Sequence, residues 1–165
     1  MRKMLCRITL SLATILPGIF AISQNLTPQE LIQINRNPDS VISNTLTDKG
    51  FKKDKTTGYY VRAKETISSC WYFQPFPSSG EKLSSFLIKT VDSNQKAKTV
   101  FLLYNPFNYK EFVQNLVKSK YRFTGIQIVG SKAYTVFENK QAVFMTTERE
   151  RGKDEPVFEI IAKAK

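Results

Sequence analysis

Histidine is absent from all 165 residues, and that absence removes more chemistry than any motif in the chain supplies. Without an imidazole there is no Ser-His or Cys-His nucleophile pair, no zinc site of the HExxH kind and no histidine pH switch. Cysteine is nearly as scarce, occurring only as Cys6 and Cys70. Neither GxGxxG nor GxxxxGK[ST] occurs among the seven glycines, so no nucleotide or other cofactor is implied. Long apolar runs are limited to residues 8–21, ITLSLATILPGIFA, which is too short to cross a bilayer.

That run follows Arg2, Lys3 and Arg7, and it ends in Ala21-Ile22-Ser23 after a helix-breaking Pro17-Gly18 pair. A basic start, an apolar stretch and a small-x-small ending are the pattern of a secretory signal peptide. Residues 1–23 are therefore expected to be cleaved after Ser23, leaving 142 residues that begin at Gln24, secreted or periplasmic and without a transmembrane anchor. Cys6 sits in the charged region ahead of the apolar segment, the wrong place for lipid attachment. Only Cys70 then remains, so no intramolecular disulfide can form and a packed core must supply the stability. In ISSCWYF it reads as a small buried hydrophobe, with a bridge between chains as the alternative.

Acidic residues are the minority charge. The mature chain would carry 22 Lys and Arg against 14 Asp and Glu, a balance of +8. Such a surface favours anionic partners such as lipid headgroups or acidic glycans, or it simply keeps the domain soluble. Lys52, Lys53, Lys55, Lys96, Lys98, Lys118, Lys120 and Lys153 fall near expected turns and helix ends, which fits the second reading. Nucleic acid is not an expected partner, because the chain is exported and no RNP-like motif is present.

Helix signals are strong at two places. In LTPQEL, Thr27 is placed to cap, Pro28 to open the first turn and Glu30 to complete a capping box, with Leu26 and Leu31 as a hydrophobic staple. Asn37-Pro38 breaks the pattern, and a second helix is expected from an Asp39 or Ser40 cap, burying Val41, Ile42, Thr45 and Leu46 and ending at Gly50. After Asn105-Pro106 another helix is expected, capped by Asn108, with Phe112, Val113, Leu116 and Val117 inward. Leu46 and Leu116 are 70 residues apart, as are Phe51 and Tyr121.

The remaining segments read as strands: YYVRAKE, SCWYFQP, SSFLIKTVD and KTVFLLYN, then TGIQIVG, KAYTVFEN, AVFMTTERE and VFEIIAK. FPSSGEK, DSNQK, ENKQ and RGKD supply the turns. Phe86 matches Phe144 at a separation of 58 and Phe101 matches Phe158 at 57, with a polar turn between in each case. The expected fold class is α+β: tandem αβββ repeats, residues 24–104 with an N-terminal helical extension and residues 105–165, forming a mostly antiparallel six- to eight-stranded sheet with helices packed on one face. One helix on three strands buries too little for roughly 60–70 residues to stand alone, and joining two copies solves that. The element order resembles the tandem helix-plus-sheet repeats of secreted β-lactamase-inhibitor-like proteins. That resemblance implies the architecture and no functional residue.

Candidate chemistry is sparse. Glu148 and Glu150 share a strand face but alternate with Arg149 and Arg151, as at a strand end entering solvent. Asp48-Lys49-Gly50 and Asp92-Ser93-Asn94 lack the acidic continuation of a calcium loop. No catalytic or metal-ligating residue is assigned. Tyr60, Trp71, Tyr72 and Phe73 are the weak candidates for ligand binding, since aromatic rings on an open sheet face form stacking platforms. The expectation is a non-catalytic binding domain that recognises a protein or another macromolecule through the sheet face or rim, with a glycan- or lipid-binding module around Trp71 as the alternative.

Overall fold

A computed structural model of the chain describes residues 26–54, 65–74, 84–150 and 156–165. Residues 1–23, where a signal peptide is expected, Tyr60, and the turns expected at FPSSGEK and RGKD lie outside these residues.

Helix α1 (Pro28–Arg36) starts as its sequence dictates. The Glu30 N–H donates to Thr27 Oγ1 at 3.2 Å and the Thr27 N–H donates to Glu30 Oε2 at 2.8 Å, which satisfies two amides the helix itself leaves orphaned. Burial alone would push the Glu30 carboxyl up, but the hydrogen bonds from Lys49 and Thr27 and the charge of Lys49 outweigh it and hold the group below its ordinary value. Lys49 Nζ lies 2.7 Å from Glu30 Oε1, tying the end of the next helix to this cap.

Asn37-Pro38 separates α1 from α2 (Asp39–Asp48). The expected Asp39 or Ser40 cap is corrected by the structure, in which Pro38 holds the N-cap position and no side chain caps it. The expected inward stripe also narrows. Ile42 and Leu46 are buried, whereas Val41 and Thr45 face solvent. In α3 (Pro106–Lys118), Phe112 and Leu116 are buried, Val113 is half-buried and Val117 is exposed. A helix lying on a sheet touches it along one ridge of i, i+4 residues, and the next residue along the chain is turned about 100° away from it. The α3 cap is Asn105, whose Oδ1 accepts the Phe107 N–H at 2.8 Å, in place of Asn108.

The strands are β1 (Lys52–Asp54), β2 (Glu65–Phe73), β3 (Ser85–Asp92), β4 (Ala97–Leu103), β5 (Arg122–Val129), β6 (Lys132–Glu138), β7 (Ala142–Glu150) and β8 (Pro156–Ala164). They form one antiparallel sheet in the order β1-β2-β3-β4-β8-β7-β6-β5. Among the described residues, each of α2 and α3 is thus followed by four strands, not three, and each set of four is a meander. The two meanders meet at β4 and β8 in the middle of the sheet, with β1 and β5 at its edges.

Register lines residues into rows across the sheet. Lys53 pairs with Trp71, Trp71 with Leu87 and Leu87 with Phe101. Phe123 pairs with Phe137, Phe137 with Phe144 and Phe144 with Ala162. Period-two alternation sends Trp71, Phe73, Leu87, Phe101, Phe144 and Ile160 into one cluster with the helix residues Leu31, Ile42, Leu46, Phe112 and Leu116. Tyr109 stacks on Phe158 at 4.3 Å between centroids, and Phe112 and Tyr121 meet the Phe144 ring edge-on at 5.9 and 5.0 Å. Such ring pairs add roughly 0.5–1.5 kcal/mol each beyond the area they bury.

The face away from the helices is apolar too. Tyr134, Met145 and Ile161 form a second buried cluster with Val100, Val129, Val136 and Val143 around it. Ile88, Leu102 and Cys70 are buried as well. Glu159 is buried on this side, its Oε2 lying 2.7 Å from Lys132 Nζ and its Oε1 accepting from the Tyr134 hydroxyl at 3.0 Å. A buried carboxylate needs such partners, since desolvation without them costs several kcal/mol or more, roughly.

Candidate functional site

The proline break between α1 and α2 brings chain to the end of the sheet where β3, β4 and β8 meet. Asn35, buried in the last turn of α1, anchors it there: Nδ2 donates to the Ala162 carbonyl at 3.3 Å and to Thr99 Oγ1 at 3.4 Å, and Oδ1 accepts the Ala164 N–H at 3.2 Å. From β3, Lys89 reaches under the break. It is 4 % exposed, donates from Nζ to the Asn37 carbonyl and lies 3.5 Å from Asp39 Oδ1. Asp39 Oδ2 in turn accepts from Ser68 Oγ at 2.6 Å. These bonds tie the break to β2, β3, β4 and β8.

Between this break, the β3–β4 turn and the last residues of β8 lies a pocket of about 770 Å³. Arg36, Lys89, Lys96, Lys98, Lys163 and Lys165 contribute to its lining, and Asp92 is the one side-chain carboxylate among them. That carboxylate is turned into the hairpin, where Asp92 Oδ1 accepts the N–H groups of Asn94 at 2.8 Å and Lys96 at 2.9 Å. Gln95 takes φ +60° to make the turn. Arg36 Nη2 donates to the Gln141 carbonyl at 3.2 Å and Lys165 pairs with Glu138. Lys96 and Lys163 are exposed and form no ion pair among the described residues. The pocket is consequently a concave region of positive potential.

A second feature is the edge strand β5. Phe123, Ile126 and Ile128 are 61, 70 and 75 % exposed. Register places Ile126 opposite Thr135 and Phe123 opposite Phe137, with an irregularity between Phe123 and Gly125. All three apolar side chains therefore point to the helix side of the sheet but lie beyond the helices' reach, apart from an edge-on contact of Phe123 with Phe137 at 6.4 Å. The opposite edge differs. Strand β1 is three residues long and begins Lys52-Lys53, with Lys53 Nζ 5.7 Å from the centre of the Trp71 ring.

The aromatic candidates from the sequence fall elsewhere. Trp71 is 2 % exposed and Phe73 is likewise in the core, where it meets Phe51 edge-on at 5.7 Å. Both rings pack beneath the helices, on the face of the sheet that the helices cover. Tyr72 is half-buried on the other face, and Tyr60 lies outside the described residues. The pocket escaped sequence reading, although a lysine inside the apolar run FLIKTV was a signal that could have found it.

No protein-family model matches the chain, no curated protein is similar to it, and no solved structure matches it.

Proposed function

We propose that the chain is an exported, non-catalytic binding domain that recognises a protein through the rim of its sheet, by accepting an extended segment of that protein alongside β5. The observation that carries this reading is the exposure of Phe123, Ile126 and Ile128 on an edge strand. Sheet edges present unpaired N–H and C=O groups, and chains that do not use them blunt them with short strands, lysines or prolines. The β1 edge is blunted in that way by its length and by Lys52 and Lys53. Strand β5 carries no charge between Phe123 and Val129 and shows three large apolar side chains, the combination that strand addition uses for affinity and for side-chain selection.

The same comparison supports reading the two helix-plus-meander halves as copies of one unit. Register rows then equate Lys53 with Phe123, Trp71 with Phe137 and Leu87 with Phe144. Phe144 matches Leu87 in this register, not Phe86, because a shift of one residue would put the side chain on the opposite face. The edge position has become a lysine in one copy and a phenylalanine in the other.

The test is retention of partners from native envelope and extracellular fractions on immobilised residues 24–165, compared with the Ile126→Lys/Ile128→Lys variant. A single stoichiometric protein retained by the first and lost by the second, with the far-ultraviolet spectrum of the variant unchanged, is the expected result. Equal retention by both would remove β5 from the interface and with it this reading.

A further inference from the structure

We propose that the basic pocket is a binding site for a phosphate-bearing ligand. It is a different site from the β5 edge, since β7 and β6 stand between β8 and β5. Three observations converge on it.

The first is that the cations come from separate parts of the chain. Arg36 closes α1, Lys89 belongs to β3, Lys96 and Lys98 to the β3–β4 turn and β4, Lys163 lies near the end of β8, and Lys165 follows it just beyond the strand. Lys89 and Lys165 are balanced by Asp39 and Glu138, but Arg36, Lys96 and Lys163, brought from distant sequence positions to the same concavity, repel one another, a cost that an anionic ligand relieves. Solvated lysines that serve only solubility gain from being spread apart.

The second is that the nearby carboxylates are already engaged. Asp92 is held by turn amides, Glu138 pairs with Lys165, and Asp39 faces Lys89 and Ser68. Lys96 and Lys163 are left to meet an incoming anion.

The third concerns shape and chemistry. A volume of about 770 Å³ suits a small molecule or a headgroup. Five of the six cations are lysines, whose compact ammonium groups bind phosphate oxygens as point charges, and Arg36 adds a guanidinium fork that fits phosphate as well. The buried amide of Asn35 and the buried Lys89 give the floor a fixed geometry.

Pyrophosphate titrated into the mature protein by calorimetry, and vesicles of phosphatidylcholine containing about one-third phosphatidylglycerol in a flotation assay, separate a soluble phosphate from a lipid one. The variants are Lys96→Glu/Lys163→Glu in the pocket and Lys52→Glu/Lys110→Glu outside it; the two pairs change net charge equally. Saturable 1:1 binding of pyrophosphate, weakened about tenfold or more by the pocket pair and by less than about twofold by the outer pair, is the expected result. Binding of the vesicles alone, with the same dependence on the pocket pair, would uphold the site and assign its phosphate to a lipid headgroup. Equal weakening by both pairs would show attraction to net charge only and overturn the proposal. So would the absence of saturable binding to either probe at about 50 mM salt, where screening is weaker than at physiological ionic strength.

Discussion

Gly50 and Lys120, 70 residues apart, close α2 and α3 in the same way. Each has positive φ, +81° and +63°, and each donates its N–H to the carbonyl three residues back, Thr47 at 2.8 Å and Val117 at 3.0 Å. The next residues, Phe51 and Tyr121, donate to the Leu46 and Leu116 carbonyls at 2.9 and 3.1 Å and bury their rings against the same core. These paired bonds define the Schellman ending, in which a left-handed residue lets the chain reverse over the last turn of the helix. Glycine adopts that conformation freely and lysine does so at a cost. Lys120→Gly is therefore expected to stabilise the protein by about 0.5–1 kcal/mol in urea unfolding. Gly50→Ala is expected to destabilise it by about 1 kcal/mol or more, since the new methyl would also meet Phe73 Cε2 at 3.1 Å. A loss of stability from Lys120→Gly would mean that the lysine side chain contributes more than its strained backbone costs.

The single tryptophan reports on the core directly. Trp71 is buried beneath the helices, so its emission is expected to be blue-shifted and little quenched by iodide until the protein unfolds. Trp71→Ala should cost about 3–5 kcal/mol, the range for removing a large buried aromatic. A red-shifted, readily quenched emission from the native protein would contradict the packing of β2.

Acid should loosen the α1 cap before the rest. The Glu30 carboxyl is held below its ordinary value, so the folded state binds its proton less readily than the unfolded chain does. Its contribution is then full above the unfolded pKa, about 4.3, and is lost as pH falls through the lower folded value. Glu30→Gln is expected to lower stability at neutral pH and to flatten its dependence on pH below about 5. Denaturant midpoints measured across that range for both proteins decide the matter; parallel curves would show that Glu30 does not contribute.

Cys70 should be inert in the native state. It is buried in β2, and burial, with the negative charge of Asp54 adding to it, pushes the thiol above its ordinary value. Thiolate is the reactive form, so labelling by a disulfide reagent is expected to be slow until denaturant is added. Rapid native labelling, or a mature protein that migrates as a disulfide-linked dimer, would show that β2 opens there.

Much of this was legible in local sequence because the signals were local. The Thr27-Glu30 capping box, the break at Asn37-Pro38 and the helix end at Gly50 each depend on a few neighbouring residues, and all three are present. The 70-residue spacing of Leu46 and Phe51 with Leu116 and Tyr121 marked positions that prove to share one hydrogen-bonding pattern. Errors arose where a choice depended on distant partners. Val41 and Val117 fit an apolar stripe as well as their neighbours do, and only the position of the sheet under each helix leaves them outside. Trp71 and Phe73 alternate correctly with Tyr72, but alternation says that two faces differ and not which one the helices cover.

The sequence by itself determined that the chain works without histidine, that a helical region near its start and a helix after Asn105-Pro106 are each followed by a run of strands, and where several of the helices begin and end. Propensity, capping and turn chemistry act over a handful of residues, which is why they can be read in order. Only the tertiary structure decided that β4 and β8, more than fifty residues apart, share the centre of the sheet. From that one pairing follow the exposed edge at β5 and the gathering of Lys89, Lys96 and Lys163 around one pocket. Neither has a local signature, because each is created by side chains that become neighbours only when the two meanders join.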